Sequence, residues 1–419
     1  MDFQSFNLHP RITESIKAKG FTTPTPIQEK SIPQALAQKD ILGIAQTGTG
    51  KTAAFVLPIL QRLMKGPRSK LRALIVAPTR ELAIQINEVV QSLGGRTGLK
   101  SVLLFGGVGI HPQIKKLKSG VEIAVVCPGR FLDHIKRKTV NLSSIEILVL
   151  DEADQMFDMG FLPDIRKIVA RLPKKRQTLL FSATMPDDIR KLANEILSKP
   201  ETIEIGRIAP PQTIDHALYP VAYQQKTNFL LAMLKQIEVE SVLVFTRTKH
   251  RAKRLAIKLE KSGYAATSLQ GNLSQNRRQA AMQGFKKGKY TILVATDIAA
   301  RGIDIASISH VINYDIPTTA ETYTHRIGRT GRASRSGEAY TLVSGEDNKM
   351  VKAIEKLLGK RLVRRQLEDF SYEEEVLPTR KTRSGNNRLY KKKTNQRRKK
   401  PVYGKSTTPN KKKRKPKRR

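Results

Sequence analysis

Residues Ala45–Thr52 read AQTGTGKT, after the short apolar run ILGI and before the helical-looking AAFVLPIL. Strand, glycine-bearing loop and helix start, in that order, are what a phosphate cradle needs. Gly48 and Gly50 let backbone N–H groups close around phosphate oxygens, with Ala45, Gln46, Thr47 and Thr49 as the other loop positions; the helix start adds a favourable dipole. Lys51 supplies a point charge and Thr52 a ligand for Mg²⁺. Ala45 stands where the general pattern has its first glycine. Further along, IEILVLDEAD sets Asp151 and Glu152 at the end of an apolar strand, where parallel sheets gather their ligands. Asp151 can hold Mg²⁺ through water, and Glu152 can orient or deprotonate an attacking water. Two acids ending a strand are by themselves a solvated loop. Together with the phosphate loop they make a site for nucleoside triphosphate hydrolysis.

The elements that must position these groups recur along the chain. From Asp40 to about Gly206, short apolar runs (LRALIVAP, SVLLFGG, VEIAVVCP, IEILVLDE, TLLFSAT, ETIEIG) alternate with helix-like mixtures. That alternation predicts a mostly parallel sheet covered on both faces. GRIAPPQTID, residues 206–215, reads as a break, after which the pattern restarts with IDHALYPVA, SVLVFT, AATSLQ, YTILVAT, SHVINYD and EAYTLVS. We therefore expect two α/β domains, 1–207 and 216–375, joined by a linker at 208–215. A last helix is expected over about 346–358, with a mixed stretch carrying Leu362, Leu367 and Phe370 behind it. The second unit has no phosphate loop of its own, because the loop after SVLVFT reads RTKHRAK and contains no glycine.

The chain has 419 residues, with 77 Lys and Arg against 36 Asp and Glu, a net charge of +41. Such an imbalance calls for a polyanion, of which nucleic acid is the obvious one. Residues 376–419 hold 20 of the basic residues and no acid, and are too poor in apolar residues to offset chain entropy, so a disordered basic tail is expected there. Cys127 is the sole cysteine, which excludes an internal disulfide and a CxxC metal site. The start MDFQSFNLHP lacks a basic segment followed by an apolar one, and no apolar run approaches the roughly 20 residues that span a bilayer. The expectation is a cytoplasmic protein with no membrane partner.

DEAD at 151–154, SAT at 182–184 and HRIGRTGR at 325–332 resemble the DEAD-box RNA helicases in wording, order and spacing. FTTPTPIQ ending at Gln28, PTREL at 78–82, Gly106 with Gly107, PGR at 128–130 and ATDIAARGID at 295–304 extend the resemblance over about residues 3–344. The short layout looks most like the bacterial RhlE-like subgroup. The resemblance implies two tandem RecA-like α/β domains that share one ATP, with Mg²⁺, and one stretch of RNA.

On matching residues it implies the following. Gln28 would read the adenine edge with both amide atoms, and Phe21 or Phe3 would pack on the ring. Asp154, Ser182 and Thr184 would link hydrolysis to RNA handling, with His325 making a helix-cap or interdomain bond to the DEAD acids rather than doing acid–base chemistry. Asp304 would contact the ribose, and Arg329 and Arg332 would reach the γ-phosphate. RNA contacts would come from Pro78, Thr79, Arg80, Gly106, Gly107, Gly129 and Arg130, then Arg247, Gly271 and Thr296, all suited to a backbone without regard to base sequence. Cys127 replaces the usual Thr before PGR, and it reads either as a weak RNA contact or as a small buried hydrophobe. Aromatic residues make up 5% of the chain and Trp is absent, so no extended base-stacking platform is expected. Local rather than processive unwinding follows, with ribosomal precursors or the RNA-degradation machinery as family-typical partners. A basic RNA chaperone and a DNA translocase on the same core are the other readings; Gln28 and the literal Asp154 favour RNA.

Overall fold

The computed structural model describes residues 2–46, 48–205, 214–300, 308–331 and 337–372, all within one compact unit, Met1–Glu374. Seven strands form the first sheet: β1 Ile41–Ile44, β2 Ala73–Val76, β3 Ser101–Leu104, β4 Ile123–Val126, β5 Ile147–Leu150, β6 Gln177–Ser182 and β7 Glu201–Glu204. Seven more form the second: β8 Ile214–Pro220, β9 Val242–Phe245, β10 Ala266–Leu269, β11 Ile292–Ala295, β12 His310–Asn313, β13 Gly337–Val343 and β14 Val363–Arg364. The orders are β3-β4-β2-β5-β6-β1-β7 and β10-β11-β9-β12-β13-β8-β14. Counted from the first strand of each, the two orders are the same, so the lobes are two copies of one RecA-like topology. The pairings among these strands are parallel.

Helices on both sides explain why the central strands read as unbroken apolar runs. Ala73, Ile75 and Ala77 join the core on one face of the first sheet, and Leu74 and Val76 join the core on the other. The second lobe repeats this with Leu243 and Phe245 on one face and Val242 and Val244 on the other. Gly43 in β1 pairs with Phe181 in β6, and a side chain at Gly43 would collide with the Phe181 ring. The glycine thus lets Phe181 lie across β1 and meet Phe55 at 5.5 Å between ring centroids. That contact seats the helix Lys51–Leu63, which begins at the phosphate loop, on the sheet.

Three expectations are revised. β8 opens at Ile214, inside the stretch read as linker and ahead of the expected domain start at residue 216. The stretch behind the last helix, Asn348–Leu358, contributes a two-residue strand, β14, which pairs with β8 at the sheet edge. Both of its residues are exposed, so no apolar alternation announced it. Finally, the loop RTKHRAK follows β9, the counterpart of β2, whereas the counterpart of β1 is β8. The loop to compare with the phosphate loop is therefore VAYQQ, residues 221–225, which also lacks glycine. Lys226, which occupies the place of Lys51 at the following helix start, is buried with Nζ donating to the Leu342 carbonyl at 2.9 Å. That cation is spent inside the lobe, so the inference that the second lobe has no nucleotide cradle survives on the right loop.

Candidate active site

The carboxyl ends of β1, β5 and β6 bring three motifs together. Gly48 and Gly50 have φ of +87° and +92°, a region that L side chains avoid. At Gly50 a side chain would in addition meet Gln28 Nε2 at 2.5 Å. Lys51, 5% exposed, donates from Nζ to the Ala45 carbonyl at 2.8 Å, and Thr49 Oγ1 donates to the Gln46 carbonyl at 2.7 Å. The loop N–H of Ala45 donates to the Ser182 carbonyl at 3.0 Å, tying the loop to the SAT segment. Thr52 follows Lys51 on the first turn of the helix.

Gln28 has a role beyond the one expected. Its Oε1 accepts from the Thr25 N–H at 3.0 Å, and its Nε2 donates to the Gly50 carbonyl at 3.0 Å. Each amide atom makes one backbone bond and keeps a second donor or acceptor position, so the side chain holds the phosphate loop and can still meet an adenine edge. The aromatic alternatives also separate. Phe3 is buried in the core beside Phe6, whereas Phe21 is 41% exposed and stacks on Phe3 with centroids 6.2 Å apart. Phe21 presents the open ring, and Phe3 backs it because apolar burial outweighs leaving an N-terminal ring in water.

Asp151 and Glu152 are each 2% exposed. Burial drives the Asp151 carboxyl upward, against the Lys51 charge and the Glu152 N–H, which donates to its Oδ1 at 3.0 Å. Glu152 is pushed up to about 7, by burial first and by Asp151 next, while Lys51 and Arg329 act against the shift. Among the described residues neither carboxylate oxygen of Glu152 has a hydrogen-bond partner, and its φ is +54°. A buried, unpartnered acid on a left-handed backbone costs folding free energy on two counts, of the kind stored at functional sites. Two desolvated carboxylates that feel the Lys51 charge, one with unused oxygens, fit a divalent cation, and Thr52 is the next residue after Lys51. Arg329 comes from the second lobe, so its effect on Glu152 puts both lobes at one acid pair.

Asp154 is fully used. Its Oδ2 accepts from the Ala183 N–H at 3.2 Å, the Thr184 N–H at 3.0 Å and the Thr184 hydroxyl at 3.1 Å. Ser182 Oγ accepts from the Asp154 N–H at 3.2 Å and donates to the Thr184 carbonyl at 2.7 Å. Any shift of the DEAD helix, Ala153–Asp158, must therefore move the SAT segment. His325 lines a small cavity with Gln155, Arg326 and Arg329. The cavity sets His325 of the second lobe beside the DEAD helix of the first.

Between the lobes lies a cleft of about 530 Å³ lined by Pro78, Thr79, Arg80, Gly106, Gly129, Arg130, Arg247, Gly271 and Thr296, together with Cys127. Gly129 and Gly271 have open space where a side chain would stand, so the protein's own packing does not demand glycine there. A ligand approaching the backbone would. Gly107, expected to join this lining, does another job: with φ of +80° and no side chain it leaves room for the Arg80 guanidinium. Arg80 Nη1 then donates to Gln275 Oε1 in the second lobe at 3.0 Å. Thr79 caps the helix Arg80–Gly94, accepting from the Leu82 N–H, and is buried. Arg130 donates to the Val108 carbonyl at 3.0 Å and keeps a buried Nη1 without a partner. The Cys127 thiol is pushed up to about 12 by burial, so it stays protonated; it packs on the core and lines the cleft at once.

Two residues the sequence reading missed complete this junction. Arg278 pairs with Glu81 at 2.8 Å, with side chains 12% and 11% exposed, and Gln275 receives Arg80. Arg278 follows Gln275 by three positions on the helix Gln275–Lys286, one face of a helix start, which is the signal that was available. Thr47, Asp304, Arg332 and residues 376–419 lie outside the described residues.

The DEAD/DEAH box helicase model matches residues 25–192, and the helicase conserved C-terminal domain model matches 225–334. The ATP-dependent RNA helicase CshA of Listeria monocytogenes is 44% identical over 361 residues, 86% of this chain and 69% of that protein. DEAD-box ATP-dependent RNA helicase CshA of Bacillus subtilis is 42% identical over 86% of this chain and 73% of that protein. The RhlE-like placement finds no support in these CshA relatives. Among solved structures, S. cerevisiae Dbp5 bound to RNA and ADP BeF3 matches with a TM-score of 0.79 and 34% identity, covering 88% of this chain and 96% of that one. With its motifs in place at a bilobal site and its relatives agreeing over both lobes, the chain belongs to the DEAD-box family of ATP-dependent RNA helicases, RNA-stimulated ATPases that work with Mg²⁺.

Proposed function

We propose that this chain separates short RNA duplexes, or remodels RNA–protein complexes, locally and without processive travel. The observation that carries this reading is the shared acid pair: Lys51 and Glu152 from one lobe and Arg329 from the other act on a single site, beside a cleft lined from both lobes. ATP and RNA each favour the lobes together, and hydrolysis with phosphate release removes that preference. In this reading Lys51 and the loop N–H groups hold the phosphates, Glu152 holds or takes a proton of the attacking water, and Arg329, with Arg332, neutralises charge on the phosphoryl group. Asp151 and Thr52 would hold Mg²⁺, whose charge screens the phosphates. Asp154, Ser182 and Thr184 carry the resulting shift toward the cleft, and Asp304 would contact the ribose. Gln28 serves as a latch on the phosphate loop, and Phe21, backed by Phe3, faces the base.

Within the family we read the chain as CshA-like, on 44% identity. Its domain limits are taken as 1–207 and 216–375 with β8 added to the second, and 376–419 as a basic tail. Among the described residues no helix is long and apolar enough to cross a membrane; a cytoplasmic role in ribosome assembly or RNA turnover is proposed on family habit and the lone cysteine. The decisive experiment measures phosphate release with RNA, with DNA of the same sequence and with neither, for the wild type and Arg329→Ala. RNA-selective stimulation that Arg329→Ala lowers by about 10³ is expected. Equal stimulation by DNA would sink the RNA assignment, and an unaffected Arg329→Ala would sink the shared site.

A further inference from the structure

A second groove, of about 430 Å³, runs over the second lobe between the helix Lys249–Lys261 and the exposed edge of β10. Lys249, Lys253 and Arg277 line it, with Tyr290 in its wall and Glu260 as its one acid. Lys249 and Leu273 also line the interlobe cleft, so the groove is continuous with it. On the helix, Lys249, Lys253 and Ile257 share one face at four-residue spacing, while Ala252, Leu255, Ala256 and Leu259 are buried on the other. Tyr290 is fixed by a glycine: a side chain at Gly284 would meet its ring at 2.6 Å.

What separates this groove from the other basic surface of the lobe, where Arg254, Lys258 and Lys261 are exposed as well, is that it opens into the interlobe cleft and has an aromatic wall. Among the described residues, Lys249, Lys253 and Arg277 form no ion pair and all three are exposed. Unpaired cations gathered along a channel that opens into a nucleic-acid cleft form a track for further phosphates, and a fixed aromatic wall offers a base a face to stack on.

We propose that the groove is an extension of the RNA site, taking the single strand as it leaves the interlobe cleft through backbone contacts to Lys253 and Arg277. The inference rests on reading that cleft as the RNA site. Its consequence is a binding footprint longer than the cleft, which would favour substrates with a single-stranded flank next to the region being opened.

The test uses the full chain, wild type and Lys253→Ala/Arg277→Ala, with labelled single-stranded RNA of about 6 and about 20 nucleotides, near the low end of and beyond the roughly 4–16 that a single-strand-binding fold covers. Lys249 is left intact because it also lines the cleft. The double variant should bind the long strand about tenfold more weakly, with a salt slope lower by about 1.4, two contacts at about 0.7 each. Its affinity for the short strand and its ATPase rate at saturating long RNA should match the wild type, as should its melting temperature. Unchanged binding of the long strand would overturn the proposal. Equal losses for both strands would overturn it too, placing the two cations in the cleft itself. A wild type that binds neither strand would instead remove the cleft reading on which the proposal stands.

Discussion

Replacing Glu152 with Gln removes the charge of an acid that the fold holds buried and raised. Its carboxyl is raised from 4.5 to about 7 by burial and by Asp151, and its oxygens have no partner among the described residues. Between those two values the folded chain binds a proton that the unfolded chain has released. Stability therefore falls as pH rises through the window, and the contribution is fully present below 4.5 and gone above about 7. From pH 5 to pH 8 this single group accounts for about 2–3 kcal/mol of lost stability in the nucleotide-free wild type, at 1.36 kcal/mol per pH unit. Glu152→Gln cannot titrate, so its stability should change less over the same range by that amount. A residual slope remains because Asp151, also raised by burial, is present in both chains. The absolute stability is the poorer readout, since a buried amide without partners costs about 1–3 kcal/mol itself. Urea unfolding at pH 5 and pH 8 measures the difference of differences directly. Parallel pH profiles for the two chains would refute the account of Glu152 as a strained, protonatable base. The same variant should bind ATP and RNA and fail to hydrolyse ATP.

Lys51→Ala should weaken ATP binding rather than chemistry alone, because it removes a buried cation at the loop that closes on Ala45; nucleotide titration by fluorescence checks this, and unaltered affinity contradicts it. Arg278→Glu sets two carboxylates face to face across the lobes, and breaking so buried a pair costs about 3 kcal/mol. The RNA concentration for half-maximal ATPase should rise roughly 100-fold, and Glu81→Arg in the same chain should recover most of it in a double-mutant cycle. Deleting residues 376–419 removes 20 basic residues. That truncation should raise the RNA requirement and flatten its salt dependence by about 0.7 per lost contact, leaving the rate at saturating RNA unchanged. An unaltered salt slope would show that the tail is no RNA tether.

The phosphate loop, the DEAD acids and both sets of strands apart from β14 were legible in the sequence because each depends on neighbours a few residues away. Glycines at 48 and 50 carry positive φ, Lys51 opens a helix, and apolar runs end in acids where ligands gather. The duplication of the α/β pattern was legible for the same reason. Which loop of the second lobe corresponds to the phosphate loop was not, since strand order is set by crossovers that no run of residues records. Tertiary packing also decided the roles of single side chains. Gln28 ties its amide to Thr25 and Gly50, Phe3 sinks into the core and leaves Phe21 outside, and Gly107 makes way for Arg80. Gln275 and Arg278 matter because they stand opposite Arg80 and Glu81, nearly two hundred residues away in the chain. A hydrogen bond or an ion pair acts over a few ångströms, and only the folded chain determines which distant residues come that close.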